Sequence, residues 1–573
     1  MREVRAPGAG RGMVRKGVLI GLLACLPYLN ALNNPFVYDD HDTVVANPSL
    51  VELTNVRFLF LYSPFRPLVN LSYALDRALW GYRALGYHLT NVVLHAAAAV
   101  LLMLLVRRAL EDARSADRRH EWIAFMAAAL FAVHPLQTEA VAYVSGRSEV
   151  LCAVFFLAAV VLARDAMVLG SRARGFAACI FGVLSIASKE VGLVLPVIVV
   201  AYDWVLRPGD DDRRRRRLWR IFAPGFVVAL SIAGYRLLAL RHSTADTSPL
   251  LTLMTQSIVI WRYVGLLFWP SGQTIMHGVH RVTSFADPVA VAAAAALAAA
   301  GVLAFRLRVR APIVTFGILW FFLVLSPSSS VVALAESMAE HRVYLASAGI
   351  FIAIAGMAMQ VVPAPRRRSA VLPAKYMAAA AAVITVLSVL TVMRNRVWGS
   401  PTALWGEAVV HAEGMWQPHY ALADALRESG DCAAAVPEYR RVVELSPAHR
   451  DAYVNLGICL AQTGQLEEAE RSFRQVLTID PTFVRGYTNL GALALVQGDA
   501  ETARDFYREA IAQDPRNVLA RMQLAGLYER TFHDYHAAAR MCGEARALAP
   551  STPGVVECVE RNQQLAAAED KAR

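Results

Sequence analysis

Seven cysteines are spread over 573 residues with no C-x-x-C pair and no His/Cys cluster at ligand spacing, which argues against a structural metal. No RNA-binding or zinc-finger pattern accompanies the net charge of +11 either. The basic residues sit in short loops between apolar runs, where they orient membrane spans, and nucleic acid is not expected as a partner. Arg2, Arg5, Arg11, Arg15 and Lys16 precede the apolar run 17 to 29 as in a signal peptide, but no good cleavage site follows. Leu29 and Ala31 fall where small residues are needed, so the run reads as a retained first span.

What is present in excess is apolar surface: 56% of residues are hydrophobic and the mean hydropathy is +0.39, more than a soluble surface tolerates. The excess lies between residues 17 and about 394, whereas 400 to 573 are charge-rich with helical periodicity. The sequence therefore predicts an all-α chain in two parts, a polytopic membrane bundle over 1–398 and a soluble helical array over 399–573. Apolar segments at 17–32, 87–106, 121–134, 148–169, 175–187, 191–206, 219–240, 287–305, 312–325, 344–362 and 376–394 give eleven spans, the third, fifth and sixth being short. With a cytoplasmic N-terminus the inside loops carry Lys and Arg at roughly fivefold the density of the opposite side. Merging the fifth and sixth segments would put Arg213 to Arg217 outside, so Ser188, Lys189 and Glu190 are read as a turn. An odd count then places residues after 394 on the outer face, the periplasm of a bacterial inner-membrane protein. Cys25, Cys152 and Cys179 lie in apolar spans, while Cys542 and Cys558 could form a bridge if that region is exported.

The C-terminal part repeats every 34 residues. Gly430, Gly464 and Gly498 recur at one turn, Pro447, Pro481 and Pro515 at the other, and Pro550 follows one residue late. Leu456-Gly457 aligns with Leu490-Gly491 and Leu524-Ala525; Ala435, Ala469 and Ala503 align, as do Tyr439, Phe473 and Tyr507. This is the tetratricopeptide signature: small residues let paired helices approach, aromatics fill the gap between pairs, and proline ends the second helix. About four units span 416–550, with a polar closing helix after Ser551. Such arrays bind peptides or proteins along a concave face, although a purely structural cap is the alternative.

Polar residues converge on the outer face of the membrane part. Asp39 and Asp40 follow Tyr38 and precede His41 and Asp42 just beyond the first span. Adjacent carboxylates raise one another's proton affinity, which suits one of them to act as a base. Arg66, His88, Asn91, His95, His134, Glu139, Arg147, Lys189, Glu190, Glu336, Glu340, His341 and Arg342 fall on the same face by the topology. Taken singly, Arg147 and Glu336 read as snorkelling or loop-capping residues.

The order F-x-Y-D-D, F-R-P-L around Arg66, G-Y-H-L-T-N-V-V-L-H at 86–95, H-P-L-Q-T-E at 134–139, S-K-E-x-G at 188–192 and A-E-H-R-V-Y-L at 339–345, followed by the repeats, resembles the transmembrane and TPR-containing O-mannosyltransferase family. That family belongs to the lipid-sugar-dependent glycosyltransferases of the C superfamily. The resemblance implies a membrane enzyme that moves mannose from a polyprenyl-phosphate carrier to protein Ser or Thr. It maps the acidic pair to Asp39 and Asp40, the second acidic position to Glu139, and the external H-R to His341 and Arg342. The short array, the arginine content and the alanine tracts depart toward a bacterial chain.

Attack of a hydroxyl on the anomeric carbon needs a base and cations for the departing phosphate. Asp39 or Asp40 is assigned as base, Glu139 orients the acceptor or an ion, and Arg342 with His341, Lys189 and Arg66 faces the phosphate. His41, His88, Asn91, His134 and Glu190 are supporting candidates. Single displacement inverts the anomeric carbon. No cofactor beyond the lipid-linked donor is called for; a divalent cation stays open, since several carboxylates share one face but no fixed-spacing ligand loop is present. Two readings from other classes remain: a non-catalytic membrane-anchored scaffold, and a transporter of lipid-linked sugar, which would be expected to show an internal repeat.

Overall fold

The computed structural model describes residues 9–113, 117, 119–207, 231, 248–329, 334, 336–363 and 373–572. The predicted span at 219–240 and the basic run Arg213 to Arg217 lie outside them. Every regular element among the described residues is helical. The chain divides into two compact units, one ending at His411 and the other beginning at Ala412.

Among the described residues, seven helices of the first unit are long and apolar enough to cross a bilayer: Gly12–Ala31, Ala84–Ala113, Val144–Leu169, Pro249–Phe268, Pro288–Leu307, Glu340–Val361 and Ala374–Gly399. Arg119–Val133 and Pro135–Val141 make an eighth if the pair, bent by 55°, is one span. The chain is a multi-pass membrane protein. Helices form where the shorter segments were expected, at Arg172–Ser188, Leu195–Leu206 and Pro312–Leu325. At about 1.5 Å per residue, the 12 residues of Leu195–Leu206 fall short of the hydrocarbon core. The turn expected at Ser188 to Glu190 is present: the first helix stops at Ser188, Lys189 is extended, and a tight 3-10 turn, Glu190–Val194, leads into the next helix.

One expectation is corrected. The sequence reading puts 241–286 in an external segment, yet Pro249–Phe268 is a 20-residue apolar helix. Thr252, Thr255, Gln256 and Ser257 interrupt its apolar run, and the last three turn inward and are buried. This helix adds to the segments counted from sequence, so the odd number of spans no longer fixes the side of the C-terminus. Elsewhere small residues bring helices together: a Cβ at Gly317 or Gly349 would strike the backbone of the facing helix, so Pro312–Leu325 and Tyr344–Val361 meet backbone to backbone.

The second unit consists of helix pairs Trp416–Glu428 with Cys432–Leu445, Arg450–Gln462 with Leu466–Ile479, Val484–Val496 with Ala500–Gln513, and Val518–Leu527 with Tyr535–Leu548, closed by Pro553–Ala572. Gly430, Gly464 and Gly498 turn between paired helices with φ of 88°, 81° and 86°, a region where a side chain would be strained. A Cβ at Gly457 would lie 2.5 Å from the Phe473 ring and one at Gly491 2.7 Å from Tyr507, which explains the small-residue and aromatic alignment. In the fourth unit a π-helical turn, Tyr528–Phe532, absorbs one extra residue and His533 takes the left-handed position. That insertion is why Pro550 comes late. Cys542 and Cys558 are paired, as the sequence allowed, and Cys432–Cys459 forms a second bridge that it did not single out.

Candidate active site

Three segments far apart in sequence close into a ring at one end of the membrane unit. The first is the turn after the first span. Tyr38 has φ of 53°, unusual for a side-chain-bearing residue, and this kink sends Asp39 outward and Asp40 inward. Asp40 is fully buried, and its carboxylate accepts from Val37 N (3.1 Å), Ser145 N (2.8 Å) and Ser145 Oγ (2.7 Å). Burial pushes its acid up to about 7, against the pull of those hydrogen bonds. Asp39 is exposed; its backbone N–H donates to the Tyr143 hydroxyl at 3.2 Å.

The second segment runs from Glu139 to Ser145. Its fold depends on Gly146, where a Cβ would fall 2.6 Å from the Glu139 carbonyl. Behind it stands a buried polar post: Arg147, with no exposed surface, pairs with Asp76 at 2.5 Å and donates to Asn91 Oδ1 (2.8 Å) and the Tyr87 carbonyl (2.8 Å). Asn91 in turn donates to the Tyr143 carbonyl at 3.1 Å, and Tyr73 donates to Val144 O at 3.0 Å. Arg147 thus has a structural place inside the protein, and Asn91 reaches the site only through the backbone it holds.

The third segment is Glu336 to Arg342. Both oxygens of buried Glu139 are taken by His341, one by Nδ1 (2.5 Å) and one by its backbone N–H (3.1 Å). Arg342 donates to Glu336 O at 2.8 Å, with its guanidinium 3.9 Å from the Glu336 carboxylate. Tyr38 closes the ring by donating to Glu336 at 3.2 Å. Burial and the Glu139 charge push Glu336 up, with His341 and Arg342 opposing. Trp405, on the last helix of the unit, packs edge-on against Tyr38 with ring centres 5.1 Å apart.

The remaining sequence candidates fall into two groups. Arg66 caps helix Pro67–Trp80, stays 42% exposed and lies 3.4 Å from Glu190. Lys189 is buried against Glu149, a partner the sequence reading did not name, and both stand within electrostatic reach of His341. His41 is exposed at the start of a π-helical turn. His88 and His134 pin backbone, at Asn34 O (3.0 Å) and Leu267 O (3.0 Å), and are not in the ring. Glu340 is fully buried and holds the 273–277 segment through Gln273, Thr274 and His277. Sequence reasoning missed Tyr143, Ser145 and Glu149, and took Glu336 for a bland loop residue; only the Y-V-S-G turn following Glu139 hinted at them. Among the described residues no three His, Cys, Asp or Glu side chains are grouped as a metal ion needs.

Fold and site together define a polytopic helical membrane protein with an acid, histidine and arginine cluster at one end and a C-terminal repeat array. Residues 420–482 match the family description "Tetratricopeptide repeat". Over most of its length the chain is similar to TMTC-type protein O-mannosyl-transferases, as the motifs indicated. It is 25% identical to Protein O-mannosyl-transferase F38B6.6 of Caenorhabditis elegans over 78% of this chain and 65% of the relative. It is 24% identical to human Protein O-mannosyl-transferase TMTC1 over 79% of this chain and 58% of the relative. A shorter stretch, 24% of this chain and 16% of the relative, is 39% identical to Tmtc1 of Drosophila melanogaster. The chain thus spans about three fifths of the curated relatives it matches at length.

Proposed function

We propose that the chain is a membrane glycosyltransferase that moves a sugar, mannose in the first instance, from a polyprenyl-phosphate carrier to Ser or Thr hydroxyls of an exported protein, with the repeats holding the acceptor. The observation that carries this reading is the ring itself: an outward carboxylate, Asp39, next in the chain to the Tyr38 that bonds Glu336, with Glu336 holding Arg342 and the adjacent His341 binding Glu139. The similarity to proteins named O-mannosyl-transferases supports it.

Asp39 is the base, because its side chain opens outward while the Asp40 carboxylate is spent on Val37 and Ser145. Asp40 acts as a positioning residue that locks the turn onto Ser145. As the acceptor oxygen bonds to the anomeric carbon, its proton passes to Asp39 and the carrier phosphate leaves with the bonding pair, inverting that carbon. Arg342 and half-buried Arg66 receive the phosphate charge. Glu139 fixes the His341 ring beside them. Lys189, neutralised by Glu149, shapes the wall and does not clamp phosphate. The cluster stands on the periplasmic side of a bacterial inner membrane, a placement favoured by two disulfides in the array, since such bonds persist in oxidising compartments.

The test is glycan mass spectrometry of exported proteins from cells carrying the parent chain, Asp39→Asn or no copy. Loss of hexose from Ser and Thr in Asp39→Asn, by about 10²-fold or more with membrane levels unchanged, is the expected result. Hexose that persists in the variant at parental levels removes Asp39 from the chemistry; hexose unchanged in cells lacking the chain removes the transferase reading.

A further inference from the structure

The carboxylate assigned as base has a neighbour that the chemistry above leaves without a role. Tyr143 belongs to the second segment of the ring, is 4% exposed and is held by both its backbone and its ring. Its carbonyl accepts from Asn91 Nδ2 at 3.1 Å. Its ring lies nearly parallel to that of Trp398, with centres 5.2 Å apart, and to that of Tyr38 at 6.2 Å. Trp398 is itself fully buried, so the phenol has little room to swing and its hydroxyl stands at a set point beside the Tyr38 kink.

What the hydroxyl meets there is Asp39. The Asp39 N–H donates to it at 3.2 Å, while the Asp39 carbonyl accepts from Thr43 N and Thr43 Oγ1, each at 2.8 Å. A hydroxyl that accepts from an N–H keeps its own proton to give. Burial, with the charges of Asp40 and Asp39, pushes the phenol well above its ordinary value, so it stays a donor. That proton serves the Asp39 carboxylate: burial pushes the acid up, the hydrogen bond from Tyr143 pulls it down, and the Asp42 charge adds to the rise. The titratable groups facing Asp39 are thus Tyr143 from the second segment and Tyr38, Asp40 and Asp42 from its own turn, with Glu336 of the third segment reached through Tyr38. The carboxylates among them disfavour a further negative charge, and the Tyr143 hydroxyl favours it.

We propose that Tyr143 is a positioning residue for Asp39: its clamped hydroxyl sets the direction of the outward carboxylate and holds it in the charged, proton-accepting form. The role rests on the reading of Asp39 as base. It is tested in the full-length chain in detergent by carbodiimide coupling of an amine to Asp39, read by mass spectrometry across a pH series, because the protonated carboxyl is the reacting form. In Tyr143→Phe, which removes the hydroxyl and keeps the ring, the midpoint of Asp39 labelling should rise by about half a pH unit or more. Thr43→Val cuts the other side-chain bond to the same backbone and should leave the midpoint at the parental pH. An equal rise in Thr43→Val would assign the effect to a loosened turn and overturn the proposal, and an unmoved midpoint in Tyr143→Phe overturns it as well. Sugar transfer gives the second readout. In Tyr143→Phe kcat should fall about tenfold or more with KM for the lipid-linked donor within about twofold, and the acid limb of the pH profile should move upward with the labelling midpoint. A midpoint that shifts in Tyr143→Phe alone, while the parent transfers no sugar to any protein, leaves the hold on Asp39 standing and sinks the transferase reading. Transfer whose acid limb stays in place while the midpoint moves keeps the transferase and removes Asp39 as its base, and with it the role of Tyr143.

Discussion

Asp39 and Asp40 share a side chain and a loop but not an environment. The kink at Tyr38 gives one to solvent and the other to Ser145. For Asp40 the folded acid, near 7, stands above its ordinary 3.8, so its stabilising contribution is complete below about pH 3.8 and is lost as pH rises through about 7. The difference is on the order of 4 kcal/mol between the ends of that window. The melting temperature in detergent should therefore fall from about pH 5 to about pH 8, and Asp40→Asn should flatten that slope; a parallel slope in the variant would place the titrating group elsewhere. Sequence motifs singled out Asp39, Asp40, Glu139, His341 and Arg342 as candidates, since each sits in a short polar run beside an apolar segment. They did not reveal which carboxylate turns outward or that Glu149 neutralises Lys189, because both depend on contacts between distant segments.

At the scale of helices, periodicity was legible where polar residues mark an outer face and misleading where they face inward. The tetratricopeptide pairs announced themselves through glycine, aromatic and proline spacing. Helix Pro249–Phe268 did not, because Thr255, Gln256 and Ser257 are buried within the protein yet read as a polar interruption. Contacts in the array make a direct prediction. Gly457→Ala drives a methyl into the Phe473 ring and should destabilise the array by about 1–3 kcal/mol, seen as faster proteolysis between residues 412 and 572 in the intact chain. Adding Phe473→Leu to Gly457→Ala should recover part of the loss. An unchanged cleavage rate in Gly457→Ala would mean that the two helices are looser than drawn.

For the whole molecule, the disulfides speak to topology more directly than the loop charges, since one unforeseen apolar helix undoes an argument from parity. Denatured protein from intact membranes should expose three thiols to maleimide before reduction and seven after it, because Cys25, Cys152 and Cys179 are free and the other four are paired. Seven reactive thiols without reductant would put the array in a reducing compartment and overturn the outer placement proposed for the acid cluster. The motif order was enough to read a membrane part followed by repeats, whereas the end of the membrane unit was not: nothing in the composition of Pro401–His411 says that it folds with the spans.

That helix decides where scissors belong. Leu404 and Trp405 are buried, Trp405 braces Tyr38, and Glu407 holds Arg394. A product ended after residue 398, the boundary that hydropathy invites, would strip the brace from the kink that sorts the two aspartates, so its silence in an assay would be mistaken for dependence on the repeats. Ended after His411 instead, the same excision keeps the brace, and comparing the two lengths separates damage at the cutting point from genuine need for the array.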